Sequence, residues 1–175
     1  MEYTIKPASG YSEKIGELVF MLVHVRSQTL KDIEGLQQAQ LDKRDAGNGN
    51  SIGALLAHIT AIEKVHQLIS FEGRDFTEAE FAEWGPALML GEGSQPLLTG
   101  NTLDYYIEGL SAVREATLQK LQEKDDAWLY EERSWPNGTA YNMYYLWFHV
   151  LEDEISHRGQ VRAAMRRLSE GGGLS

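Results

Sequence analysis

The stretch from Thr139 to Leu168 constrains this chain most. It is long enough for about eight helical turns and carries no Pro or Gly before Gly159. At 100° per residue, Met143, Leu146, Trp147, Val150, Val161, Ala164, Met165 and Leu168 fall on one stripe. Asp153, Glu154 and His157 fall on the same stripe. Ionisable groups on a face destined for a core need partners, because an unpaired buried charge costs several kcal/mol. Whatever satisfies these three side chains decides what the last helix is for.

The remaining chain supplies packing partners. Ser12 to Glu34 reads as a helix with Ile15, Leu18, Val19, Leu22, Thr29 and Ile33 on its stripe and Arg26 in the middle. Gln37 to Asn50 reads as a polar connector ending in Gly47, Asn48, Gly49 and Asn50. Ser51 or Asn50 caps a second helix, Ile52 to Phe71, with His58 central among Leu55, Ile62, Val65 and Ile69. From Glu72 to Gly100 the pattern degrades into a long connector with a short helix near Thr77 to Trp84, then Gly91, Gly93 and Pro96. Thr102 caps a third long helix, Leu103 to Glu123, with Arg114 mid-stripe. Trp128 to Gly138 is aromatic and ends in a Pro-Asn-Gly turn signal, with room for a short extended piece.

Four amphipathic helices without convincing alternating strands predict an all-α four-helix bundle, and 175 residues predict one domain, 1–175. Residues 1–10 and 171–175 read as a flexible lead-in and tail. The net charge of -10 argues against nucleic acid as a partner. No apolar run approaches a membrane span and no secretory leader pattern is present, so the expected location is cytoplasmic. There are no cysteines, so any metal must be held by His and carboxylates, and any reactive thiol must come from a small molecule.

The chain also echoes itself. Leu22, Val25, Arg26, Thr29 and Leu30 reappear as Leu110, Val113, Arg114, Thr117 and Leu118, each 88 residues later. His58, Glu63 and His66 reappear as His149, Glu154 and His157, each 91 residues later. Two helical hairpins of common design would bring the second and last helices together as counterparts.

Asp153 and His157 are an i,i+4 pair, which projects both side chains to one side of a helix. A divalent ion held by these two and His58 would satisfy all three groups and leave positions open to water. His149 has the same spacing to Asp153 but lies at the stripe's margin; it could replace or supplement a ligand. The competing account has no metal: Asp153 and Glu154 pair with Arg26 and Arg114 as buried ion pairs.

The phrases Asn50-Ser51-Ile52 with Leu55-Leu56-Ala57-His58, His149 through Gln160, and Arg26-x-x-Thr29-Leu30 resemble the DinB-like superfamily of metalloenzymes. That resemblance implies a four-helix bundle of unusual connection order, often homodimeric. It also implies a divalent ion (Zn, Ni, Mn or Fe) bound by His58, Asp153 and His157. Many relatives have His where this chain has Asp153; an acidic residue there also occurs, including in the mycothiol-dependent isomerase branch. The implied activity is S-transfer from a low-molecular-weight thiol of the bacillithiol or mycothiol type to a small-molecule substrate. Metal-dependent hydrolysis, with Glu154 as base, is the alternative, and a non-catalytic bundle of buried ion pairs a third. Arg26 or Arg114 could orient an anionic thiol carboxylate, and Trp84, Trp135, Tyr141 and Tyr145 could line a pocket.

Overall fold

The computed structural model describes residues 4–44, 49–91 and 98–171. Four long helices form a bundle: α1 (Glu13–Asp32), α3 (Ile52–Gln67), α5 (Leu103–Gln122) and α6 (Met143–Gly171). Helix α3 packs on both α5 and α6, and α1 packs on α6 and α5. Two shorter helices, α2 (Gln38–Asp42) and α4 (Glu78–Met89), both pack against α3. The all-α bundle expected from periodicity is therefore the fold.

Local chemistry explains the helix starts. Ser51 accepts from the Ala54 amide at 3.1 Å, so the His-bearing helix α3 begins where its capping residue dictates. Thr102 does the same for α5 through the Tyr105 amide. Helix α4 opens with a reciprocal box in which Thr77 caps the Glu80 amide and Glu80 accepts from the Thr77 amide.

Three features depart from expectation. The last helix starts at Met143 rather than Thr139, because Ala140–Asn142 is a strand (β2) antiparallel to Glu132–Ser134 (β1). The Pro136-Asn137-Gly138 turn closes that hairpin, with Gly138 at a φ of 83° that L side chains rarely adopt. Asn142 then hands the chain to α6 by accepting from the Tyr145 amide at 2.9 Å. The connector after α1 contains α2, anchored by fully buried Leu41, and α4 runs on through Pro86 to Met89. The Gly47 and Asn48, Gly93 and Pro96 signals, and the 172–175 tail, lie outside the described residues.

The core is two apolar clusters. One gathers Leu18, Leu22, Leu129, Leu146 and Trp147; the other gathers Ile33, Ile52, Leu56, Leu110 and Val161. Between them, along the bundle's four long helices, stand Arg26, Glu63, Arg114 and Glu154, all buried.

Candidate metal centre

The four buried charges form a closed brace. Glu154 accepts from Arg26 Nε at 2.8 Å, Arg26 Nη2 at 3.1 Å, Arg114 Nη2 at 3.0 Å and Thr29 Oγ1 at 2.9 Å. Glu63 accepts from Arg114 Nε at 2.7 Å, Arg114 Nη2 at 3.0 Å, Arg26 Nη2 at 2.9 Å and Thr117 Oγ1 at 2.7 Å. Each arginine also donates through Nη1 to a carbonyl on the opposite hairpin, Arg26 to Leu110 and Arg114 to Leu22. Exchanging α1 with α5 and α3 with α6 maps every one of these bonds onto its counterpart. The internal echo is thus a two-fold relation written in hydrogen bonds. Burial alone would raise the Glu63 carboxyl, but Arg114 and then Arg26 hold it below the usual carboxylate range.

This brace leaves Asp153 for another partner. Its neighbour Glu154, not Asp153, takes the arginines, so the ion-pair account explains only half of the acidic pair. Asp153 Oδ1 instead lies 3.4 Å from His157 Nε2 and 3.7 Å from His58 Nε2. The two imidazoles meet edge to face with centroids 4.6 Å apart. Ligating atoms of His58, Asp153 and His157 all lie within 4.8 Å of one another. The i,i+4 spacing on α6 supplies two of them, and α3, braced to α6 through Glu63 and Glu154, supplies the third.

Each donor is prepared. The Nδ1 of His58 donates to the Ala87 carbonyl at 2.8 Å, so in the neutral ring the Nε2 lone pair faces Asp153. Ala87 lies in the last turn of α4, where carbonyls have no partner within the helix, and this is where one of them goes. Burial would raise the Asp153 carboxyl, but hydrogen bonding to His157 and then His58 keeps it far below the usual range and ionised. Hydrogen bonding to Asp153 raises the His157 imidazole, with burial opposing. Asp153 Oδ2 and His157 Nδ1 are buried with no hydrogen-bond partner among the described residues. Two imidazole nitrogens and a carboxylate converging this closely, with orphaned polar atoms beside them, form a donor cluster that could hold a metal ion. The donor set suits a borderline divalent ion with open positions.

The residues predicted for chemistry therefore divide. His58, Asp153 and His157 come together. Glu154 and Arg26, expected to act as base and anion anchor, are buried with their polar atoms committed to the brace. His149 stands on the far side of Asp153, against His66. Trp84 lines a cavity of about 550 Å³ with Ala57, Pro86, Ala87, Tyr105 and Tyr106, whereas Trp135 and Tyr141 stack on each other at 4.2 Å. Tyr145 lines a shallower depression with Phe148 and Met21. Sequence reasoning missed Glu63 as the fourth brace member, although its place in the echo marked it, and missed Ala87, which acts through a carbonyl that every residue has.

The profile of the mycothiol-S-transferase family matches residues 17–171. The chain belongs to that family. The match takes in most of α1 and the whole of the other three long helices and includes every residue of the triad, and the family is DinB-like, as the resemblance implied. Among solved structures, an uncharacterized protein from Clostridium difficile 630 is similar at 11% identity, covering 87% of this chain and 95% of its own, with a TM-score of 0.68. A protein from Streptococcus pneumoniae is similar at 12% identity, covering 89% of this chain and 90% of its own, with a TM-score of 0.64. At such identities the likeness speaks for the fold. No curated protein matches the chain. No helix among the described residues is long and apolar enough to cross a membrane.

Proposed function

We propose that this protein is a divalent-metal-dependent S-transferase that joins a low-molecular-weight thiol to a small electrophile. The convergence of His58, Asp153 and His157 carries the reading, and membership in the mycothiol-S-transferase family supports it. His58 and His157 would hold the ion through Nε2 and Asp153 through a carboxylate oxygen. When bound, a divalent ion with open positions supplies a Lewis acid that favours the thiolate of a coordinated thiol. The chain's own part is to hold three donors ready: Ala87 fixes the His58 ring, the brace fixes the spacing of α3 and α6, and Asp153 stays anionic. In the transfer, the sulfur electron pair forms a bond to the electrophilic carbon, the leaving group departs with its own pair, and the thiol proton passes to solvent. With no cysteine in the chain, the reacting sulfur belongs to the small thiol.

Mycothiol is the thiol that the family name favours, with bacillithiol the second candidate. Hydrolysis is the weaker reading, because Glu154, the base it called for, is locked between two arginines. We assign Arg26 and Glu154 to bracing rather than to substrate. The reading also includes a cytoplasmic location and a homodimer, and an exposed apolar stripe of Tyr145, Phe148 and Ile155 on α6 supports the homodimer. The decisive assay offers the metal-loaded protein each thiol with a common alkylating electrophile. Conjugation that falls by at least about a hundredfold in His157→Ala supports the reading. Turnover of an ester or amide without thiol, or conjugation untouched by that substitution, would overturn it.

A further inference from the structure

The two-fold relation of the brace extends to the metal donors, and this has a consequence for the other end of the α3–α6 interface. The 91-residue offset that pairs Glu63 with Glu154 also pairs His58 with His149 and His66 with His157. The counterpart of the triad His58, Asp153 and His157 is therefore His149, Ile62 and His66. Both histidines of that counterpart are in place. Their rings meet edge to face with centroids 5.3 Å apart and planes at 87°, as the first pair meets at 4.6 Å and 76°. The third member is Ile62, which has no donor.

From the Zn–N distance of about 2.0–2.1 Å, two imidazoles on one tetrahedral ion have ring centroids about 5 Å apart, close to the observed separation. The donors are also available. Nδ1 of His66 donates to the Ile62 carbonyl at 2.7 Å, which leaves the Nε2 lone pair of the neutral ring unused. Nδ1 of His149 is buried and has no hydrogen-bond partner among the described residues. Glu152, one turn away on α6, is the nearest carboxylate that the structure sets against that nitrogen, with Oε2 at 4.0 Å on a largely exposed side chain.

We infer that His66 and His149 form a second, weaker metal position, the two-fold counterpart of the first, which binds a borderline divalent ion such as Zn²⁺ or Ni²⁺ through two imidazoles with Glu152 as carboxylate. The lost carboxylate at position 62 is what separates the two sites in affinity. This inference rests on the metal reading of the first site for its symmetry argument, but the two fail independently.

The test is calorimetric titration of the full-length, metal-free protein with Zn²⁺. The wild type should bind two ions, the second at least about tenfold more weakly, about 1.4 kcal/mol. His149→Ala, at a partly exposed side chain, should remove the weak event alone, and His66→Ala should repeat that result. His157→Ala should remove the tight event and leave the weak one. Ile62→Asp should complete the counterpart triad and tighten the second event by at least about tenfold. A wild type that takes a single ion overturns the inference. So does a weak event that persists in both His149→Ala and His66→Ala, since it then belongs to scattered surface groups. An Ile62→Asp protein that folds without any gain in affinity overturns the symmetry argument. Loss of tight binding in His149→Ala or His66→Ala counts against the first site instead.

Discussion

Replacing Glu154 by Gln separates bracing from catalysis at that position. The substitution keeps the shape and removes one negative charge from a layer where two arginines face two glutamates, all essentially inaccessible to water. Four hydrogen bonds end on the Glu154 carboxylate, three from guanidinium groups and one from Thr29. In the variant an amide NH₂ must face at least one of those donors, and a buried positive charge loses its counter-ion. Breaking a buried ion pair from one side costs about 3–5 kcal/mol, and the expected loss of unfolding free energy lies in that range. The two-fold relation adds a sharper condition. Glu63 also receives three guanidinium bonds and one threonine bond, so Glu63→Gln should cost the same within about 1 kcal/mol. The double variant should cost less than the sum, because both changes damage one network. Urea unfolding followed by far-UV circular dichroism measures all three. An Glu154→Gln protein of wild-type stability whose thiol transfer has vanished would refute the bracing argument and restore Glu154 as a base.

Other consequences are smaller in scope. Because His66 in the folded protein protonates only near pH 4 while the unfolded ring protonates near 6.5, its contribution is fully present above pH 6.5 and is lost as pH falls toward 4. The loss should total on the order of 3 kcal/mol, and His66→Gln should flatten the pH dependence of stability across that window; an unchanged slope would contradict the assignment. A Cβ at Gly53 would meet Tyr106 Oη at 2.5 Å, so Gly53→Ala should force that buried ring aside and cost about 1–3 kcal/mol in thermal unfolding. Asp153→Asn should lower affinity for the first Zn²⁺ by at least about a hundredfold in equilibrium dialysis while leaving the circular dichroism spectrum intact.

The periodic parts of the fold were open to reading because a stripe of apolar residues every three to four positions admits little but a helix. Met143, Leu146, Trp147, Val150 and Val161 are all buried, as the wheel placed them. The hairpin was not readable in the same way. Three-residue strands carry too few alternations, and Ala140–Asn142 continues the apolar run of α6 until Asn142 caps it. In the site, spacing singled out Asp153 with His157, and the echo supplied His58. The wheel could not decide which of two adjacent carboxylates met the arginines, since a 100° step leaves both near the core; the backbone's rotation gave them to Glu154. Glu63 stands in the sequence only as part of a repeat, and its place as the fourth charge that two arginines and one glutamate require shows once the helices are packed.

The most direct measurement of the central claim is anomalous diffraction from crystals of the zinc-loaded protein. The strongest peak should lie about 2.0–2.2 Å from Nε2 of His58, Nε2 of His157 and a carboxylate oxygen of Asp153, with a further position open to solvent. A peak bound elsewhere with this triad empty, or Asp153 turned onto an arginine with no ion between the histidines, would contradict the account.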